Sequence, residues 1–324
     1  MDELGDGVLG VFVITPRLLR KSLVRAGQWR LLFVFWAAVF LPSVLVALPV
    51  LAFFEKHLGH SPAALFTRMD SATALDLFRQ LSEDGSDANI RQGVVAALLV
   101  LLVSAPFAAA AAVAAAQTDE RLRFRALLAG AGGLYGRMVR TFVAALIPFA
   151  IAAALTSAAF FAANRANDKA IRETLALGRW ALASAAAAVL IFLAHLVVDA
   201  ARAQFAAAPQ RRSALFALGK SLRLFVRRPL RVLGIGLVGG LCAAVPSALL
   251  MLARVRLPQR NPALVALAWL LAQLAIVCVG WGRNVRIFAL AELSRADAAE
   301  RLRVPAVQAP VGDAALSAGQ RPAI

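Results

Sequence analysis

The feature that most constrains this chain is a basic amphipathic segment, residues 213–231, that runs directly into an apolar stretch without charges. On a helix, its apolar and basic side chains fall on separate faces. The apolar face holds Leu215, Leu218, Leu222 and Phe225. The basic face holds Lys220, Arg223, Arg227 and Arg231. After Arg231 the next charge is Arg254, and the 22 residues between them, at about 1.5 Å each, cover the roughly 30 Å of a hydrocarbon core. The segment therefore predicts a helix on a membrane surface followed by one that crosses the membrane.

The same alternation of basic and apolar segments recurs along the chain, which is 61% hydrophobic and only 16% charged. Soluble domains are about 45 to 50% apolar and about 25% charged. We therefore expect an all-α integral membrane protein with a single six-helix membrane domain over residues 31–303. The predicted spans are 31–54, 93–116, 141–164, 180–202, 232–253 and 261–282. They would form three helical hairpins, each preceded by a basic amphipathic or return segment.

The distribution of lysine and arginine predicts the topology. With both termini in the cytoplasm, the inner segments carry 24 basic residues and the outer segments 11, as the positive-inside rule requires. Residues 1–30 are then a cytoplasmic N-terminus with a basic amphipathic helix, 55–92 an external loop, and 304–324 a disordered cytoplasmic tail. Arginine far outnumbers lysine and alanine dominates the apolar runs. That composition is typical of GC-rich bacterial coding and indicates a multi-pass protein of a bacterial inner membrane.

The first and fifth spans share a sequence plan. KSL at 21–23 precedes Pro42-Ser43, and KSL at 220–222 precedes Pro246-Ser247. The middle hairpin has a looser version, with GRMVR at 136–140 preceding Pro148. A threefold repeat of hairpins is one interpretation. The other is that prolines and flanking basic residues are common in membrane helices generally.

The most distinctive group of polar residues within the apolar spans is formed by His195, Asp199 and Arg202. Their spacing of i, i+4 and i+7 places them on one face of the fourth span, near its inner end. Ionisable residues inside a span indicate a functional site, in which Asp199 would orient His195 as a proton carrier or headgroup ligand. The alternative is that Asp199 and Arg202 pair at the interface while His195 bonds a neighbouring helix. Gln273 is a further buried polar candidate, for which an interhelical hydrogen bond is expected.

Two motif-like patterns are better explained without a cofactor or a metal. Residues 234–239 spell G-x-G-x-x-G, but the preceding strand and the following acidic residue of a dinucleotide site are missing. Gly236 with Gly240 instead predicts a small-residue face for close helix packing. His57 and His60 have no further ligands at a fixed spacing, which favours a solvated loop over a metal site. We expect no cofactor and no metal.

These patterns favour a non-enzymatic protein that binds, senses or organises lipids. Each basic residue near an anionic surface contributes about 1 kcal/mol, so the basic segments predict headgroup-binding residues. They are Lys21, Arg25, Arg30, Lys220, Arg223, Arg227, Arg228 and Arg231. The expected partners are membrane lipids with anionic headgroups, with a membrane-protein partner or a homo-oligomer as further options. Nucleic acid is not expected, because the basic residues flank the apolar runs.

Two other function classes are open. A transporter or permease is the main alternative, with a site near His195 among proline-bent helices. The prolines concerned are Pro42, Pro49, Pro106, Pro148 and Pro246. An enzyme acting on a lipid headgroup through His195 and Asp199 is disfavoured, because a general base needs a nucleophile, water or metal to activate.

Three stretches carry a family resemblance: KSLRLFVRRPLRVLG at 220–234, RKSLVRAGQWRLLFV at 20–34 and GWGRNVRIFALAEL at 280–293. In them the chain resembles poorly characterised bacterial six-helix inner-membrane proteins, which are similar to the membrane domain fused to some glycerophosphodiester phosphodiesterases. The resemblance covers about residues 17–293 and implies a membrane domain. It carries over no active site, because the sequence lacks the catalytic barrel of those enzymes.

Overall fold

The computed structural model describes residues 16–58, 87–167, 173–258 and 261–303, and in these ranges the only regular elements are α-helices. They are α1 (Pro16–Ala26), α2 (Trp29–Leu58), α3 (Asp87–Gln117), α4 (Phe124–Asn167), α5 (Glu173–Ala207), α6 (Ala214–Arg227), α7 (Pro229–Arg256) and α8 (Pro262–Arg303). Several predictions lie outside the described residues. They concern residues 1–15, most of the external loop 55–92, His60, the side chain of His57, and the tail 304–324.

Six of these helices, α2, α3, α4, α5, α7 and α8, are long and apolar enough to cross a membrane. They pack as adjacent pairs, α2 with α3, α4 with α5, and α7 with α8. The prediction of an all-α chain with six long apolar helices, packed in adjacent pairs, is therefore confirmed, and these six helices are candidate membrane spans. The other two described helices, α1 and α6, are short and amphipathic and directly precede α2 and α7.

Two of the membrane helices are much longer than a bilayer requires. α4 has 44 residues and α8 has 42, so they extend about 66 and 63 Å, roughly twice the thickness of a hydrocarbon core. α4 begins at Phe124, well before the predicted span 141–164, because Leu127, Ala131, Leu134 and Met138 repeat at helical spacing and are buried. α8 likewise continues beyond the predicted span 261–282 as far as Arg303.

The best-packed part of the protein lies where these extensions meet α1, α6 and the turn at 118–123. We call this part the basic end. Phe205, Met138 and Phe288 are almost completely buried there, as is the alanine-rich run 108–116 of α3. Small side chains let neighbouring helices approach closely. Towards the opposite end the helices expose large apolar side chains, including Leu98, Leu155, Leu182 and Leu249, as expected of surfaces that face lipid.

Glycines set the closest contacts of α8 with its neighbours. A Cβ atom on Gly282 would lie 2.4 Å from the carbonyl oxygen of Gly239 on α7, and one on Gly280 would lie 2.3 Å from the ring of Phe35 on α2. The glycine-rich stretch of α7 thus serves helix packing, as predicted. Gly239 rather than Gly240 makes the tight contact, since the nearest atom to a Cβ on Gly240 would be 3.9 Å away.

The prolines of α2 lie within a continuous helix. Proline has no N–H, so Pro42 and Pro49 leave the carbonyls of Ala38 and Leu45 without their helical partners. Ser104 Oγ on α3 donates a hydrogen bond to the Ala38 carbonyl at 3.0 Å. Gly93 brings the backbone of α3 close to the Leu45 carbonyl, where a Cβ atom would be only 2.7 Å away. Both prolines therefore mark contacts between α2 and α3.

Candidate functional site

A cavity of about 540 Å³ lies among the three hairpins and is lined by α2, α3, α4, α5 and α8. We call it the central cavity. Its walls are largely apolar and include the rings of Phe35, Phe142, Phe149 and Phe192. The polar residues that line it are His195, Asp199, Arg202, Arg283 and Arg286. All five belong to α5 and α8, the pair of helices that joins the second hairpin to the third.

Asp199 contacts the three arginines among these polar residues, and only 2% of its side chain is exposed. Arg202 Nη1 donates a hydrogen bond to its Oδ1 at 2.9 Å, and Arg286 Nε donates to its Oδ2 at 3.1 Å. Arg283 Nε lies 4.0 Å from Oδ1. One carboxylate is thus shared by three arginines, one from its own helix and two from α8. We call Arg202, Arg283 and Arg286 the arginine cluster.

The arginine cluster carries more positive charge than Asp199 balances. One carboxylate offsets one guanidinium, which leaves two positive charges in a cavity with apolar walls. Uncompensated charge is costly in such surroundings. A guanidinium has five N–H donors. Within the described chain, Arg202 and Arg286 each direct one of them to Asp199, whereas Arg283 lies over the ring of Phe35 at 5.9 Å. The surplus charge and the unused donors both suit an anion.

His195 lies one helical turn before Asp199 on α5. Its ring meets that of Phe149 edge to face, with the centroids 4.7 Å apart, and the side chain is exposed towards the central cavity. An imidazole in this position can donate or accept a hydrogen bond from a molecule in the cavity. His195 therefore adds a polar contact beside the arginine cluster.

The structure brings His195, Asp199 and Arg202 together, but it separates Gln273 from them. Gln273 accepts a hydrogen bond from Trp36 Nε1 at 2.9 Å, which is an interhelical bond between α8 and α2.

Sequence reasoning missed Arg283 and Arg286. Their only signal is an i, i+3 spacing directly after an apolar run, and charges at that place are ordinarily interpreted as the end of a span.

Two residues predicted to bind headgroups, Arg25 and Lys21, make ion pairs within the protein. Arg25 has a side chain only 10% exposed, and its Nη1 lies 3.0 Å from Asp119 and 3.3 Å from Glu292. Its Nη2 donates to two carbonyls at the C-terminal end of α3, which are acceptors that no helical N–H reaches. Lys21 Nζ lies 3.0 Å from Asp119. The hydrogen bond and charge of Lys21, together with the charge of Arg25, hold the pKa of Asp119 below its ordinary value of 3.8.

Other arginines at the basic end also donate hydrogen bonds to backbone carbonyls. Arg30 Nη1 donates to the Leu122 carbonyl at 2.8 Å, and its guanidinium lies over the ring of Trp29. Arg295 donates to the carbonyls of Ala116 and Ala206, near the C-terminal ends of α3 and α5. Cations at helix C-termini satisfy free carbonyls and complement the helix dipole. Arg25, Arg30 and Arg295 therefore connect the ends of neighbouring helices.

The second basic helix, α6, has a different environment. Its small residues face the protein, while Leu215, Leu222 and Val226 are exposed. Basic residues of α6 and of the start of α7 line two further cavities. Lys220 and Arg223 line one of about 280 Å³. Arg227, Arg228 and Arg231 line another of about 540 Å³, beside the end of α8. Arg228 also pairs with Asp297, at 3.4 Å, and with Glu300.

The chain matches no protein-family model, no curated protein and no solved structure. The resemblance to bacterial six-helix inner-membrane proteins stays a prediction.

Proposed function

We propose that this chain is a non-enzymatic, multi-pass protein of a bacterial inner membrane that binds an anionic lipid, with the lipid headgroup held by the arginine cluster in the central cavity. The observation that carries the proposal is the surplus of two positive charges around Asp199 in a cavity with apolar walls. A phosphate group would neutralise that surplus. Guanidinium groups present paired donors that match phosphate oxygens, and such contacts are among the strongest hydrogen bonds in proteins.

The depth of the arginine cluster supports a headgroup rather than a solute at mid-membrane. Counted from Pro262, Arg283 lies about 31 Å along α8, and a hydrocarbon core is roughly 30 Å thick. The cluster would therefore lie at one boundary of the core, with the apolar part of the central cavity extending towards the acyl chains. Phe149 and Phe192, which line the cavity, provide apolar surface of the kind that an acyl chain contacts.

The proposed topology rests on the distribution of lysine and arginine. With both termini in the cytoplasm, the basic end faces the cytoplasm, as the excess of lysine and arginine predicts. The arginine cluster then lies at the inner leaflet, where anionic lipids are a major component. α6 would lie at the surface of that leaflet with Leu215, Leu222 and Val226 directed into it, since all three are exposed.

Native mass spectrometry of purified protein tests the proposal. Replacing Arg283 and Arg286 together by glutamine should reduce retained anionic lipid on the order of tenfold, because both hold the surplus charge. Arg140→Gln is the matched control, since Arg140 is an exposed arginine of α4 outside the cavity and its loss should leave the lipid in place. Unchanged lipid in the double variant, with the protein still folded, would rule out the arginine cluster as the site.

A transporter is the second candidate, and the position of His195 favours it. His195 is exposed towards a cavity that all three hairpins line, as is expected of a site between moving helical units. A proton-coupled flux into proteoliposomes that His195→Ala abolishes would support transport. Lipid retention without flux would favour the binding protein.

A further inference from the structure

A second cationic cavity lies at the basic end and shares no lining residue with the central cavity. Its volume is about 280 Å³. The turn after α5, the helix α6 and the last turns of α8 surround it. Its polar lining residues are Gln204, Arg211, Lys220, Arg223, Ser294, Asp297 and Arg301. Along α5 and α8, Gln204 and Ser294 lie about 8 and 12 Å beyond Asp199 and Arg286. This cavity, which we call the distal cavity, is therefore farther from the membrane centre.

Positive charge dominates the distal cavity. Four cationic side chains line it, against one carboxylate, that of Asp297. Asp297 is already engaged, because Arg301 pairs with it and Arg228 lies 3.4 Å from it. Across the part of the chain that the structure describes, no carboxylate lies within ion-pair distance of Arg211, Lys220 or Arg223. Three cations thus converge without an acidic partner.

Two of these cations, Arg211 and Lys220, are held in position by neighbouring groups. Arg211 Nη1 donates to Gln204 Oε1 at 2.7 Å, and Gln204 Nε2 donates to Ser294 Oγ at 3.0 Å. Ser294 in turn donates to a carbonyl of its own helix. The ring of Phe216 contacts both Arg211, at 5.6 Å, and the Lys220 ammonium, at 4.9 Å. Side chains fixed in this way lose little further entropy when a ligand binds.

Both burial and the neighbouring cations act on Lys220. Burial, followed by the charges of Arg211, Arg301 and Arg223, lowers the pKa of Lys220 below its ordinary value of 10.5. Burial also lowers the pKa of Arg211. The cavity therefore holds more positive than negative groups, and these positive groups repel one another. An anion that entered the cavity would reduce this repulsion.

We propose that the distal cavity binds a phosphate dianion, presented either by a phosphomonoester lipid headgroup or by phosphate free in solution. Two negative charges suit the three unpartnered cations. Arginine contributes paired donors to phosphate oxygens, and lysine contributes a point charge. The proposal is independent of the lipid proposed for the central cavity, since the two cavities share no residue.

The test uses the full chain in nanodiscs of phosphatidylcholine, with inorganic phosphate titrated by calorimetry. Lys220→Gln combined with Arg223→Gln should weaken phosphate binding about tenfold or more. Arg212→Gln is the control, because Arg212 follows Arg211 directly, is exposed and does not line the distal cavity. A second variant, Arg223→Glu, puts a carboxylate among the cations. It should abolish phosphate binding and leave the thermal midpoint without phosphate equal to or above that of the wild type.

A second arm identifies the source of the phosphate. Nanodiscs that contain phosphatidic acid should compete with inorganic phosphate if the headgroup is the ligand, whereas nanodiscs with phosphatidylglycerol, a phosphodiester, should not. Phosphate binding that phosphatidic acid leaves unchanged indicates free phosphate. The variant pair Arg283→Gln and Arg286→Gln should retain binding in either case, which separates this site from the central cavity. Equal phosphate affinity in the wild type and in the Lys220 and Arg223 double variant would overturn the proposal.

Discussion

Arg286 on α8 donates a hydrogen bond from Nε to Asp199 Oδ2 on α5 at 3.1 Å, and this bond joins the second and third hairpins at the level of the central cavity. Asp199 is buried, and Arg202 and Arg283 share the same carboxylate. The bond therefore belongs to a network in which one acid holds three cations. Loss of the single carboxylate should strongly destabilise such a network, because the remaining positive charges repel one another.

The first prediction concerns that single carboxylate. Asp199→Asn keeps the shape of the side chain but leaves three guanidinium groups without a carboxylate, so we expect a loss of about 3 kcal/mol or more in the free energy of unfolding. Unfolding in detergent, followed by circular dichroism, measures the change. The control is Asp119→Asn, which removes a carboxylate that is 73% exposed and should have a much smaller effect at pH 7. Equal losses in the two variants would contradict the central role of Asp199.

The second prediction concerns acid pH. Lys21, followed by Arg25, lowers the pKa of Asp119 from its ordinary value of 3.8. A carboxylate whose pKa is lower in the folded than in the unfolded protein contributes stability that is complete above 3.8 and is lost as the pH falls through the lower folded value. The thermal midpoints of the wild type and Asp119→Asn should thus differ at pH 7 and converge in strong acid. A difference that stays constant across this range would show that the ion pair contributes nothing.

The third prediction concerns the contact between α7 and α8. Gly282→Ala would bring a Cβ atom within 2.4 Å of the Gly239 carbonyl, so the helices must separate, at a cost of about 1 to 3 kcal/mol. Gly132→Ala is the matched control, because a Cβ atom there would have no atom within 4 Å outside its own stretch of helix. It should be neutral, or stabilising by up to about 1 kcal/mol, since alanine favours a helix. Thermal unfolding of both variants decides the question, and a neutral Gly282→Ala would refute the close contact.

The membrane helices could be predicted from the sequence because charges are excluded from a hydrocarbon core, so the gaps between charged residues mark the spans directly. The central cavity could be predicted only in part. Asp199 and Arg202 are three residues apart and were paired by helical spacing. Arg283 and Arg286 reach Asp199 only because α8 packs on α5, and no local pattern contains that contact.

The same limitation hides the partners of Arg25 within the protein. A basic residue on an amphipathic helix looks identical in the sequence whether it faces lipid or protein. Its partners Asp119 and Glu292 are separated from it by 94 and 267 positions. Glu292 reaches Arg25 because α1 packs against α8, and Asp119 reaches it from the turn after α3.

The last prediction separates structural from membrane-binding roles among the basic residues. Arg25→Gln removes two ion pairs and the two hydrogen bonds to the end of α3, so we expect a loss of about 2 to 3 kcal/mol in the free energy of unfolding. Its effect on lipid retention should be small.

Arg223→Gln combined with Arg227→Gln alters two exposed residues of α6 and should have the opposite effect, a loss of lipid without a loss of stability. Stability should stay within about 0.5 kcal/mol of the wild type, while retained anionic lipid decreases in a salt-dependent way. Lipid counts by native mass spectrometry at two salt concentrations, with unfolding measured on the same preparations, distinguish the two roles. If Arg25→Gln lost lipid while keeping its stability, α1 would be a headgroup-binding helix after all.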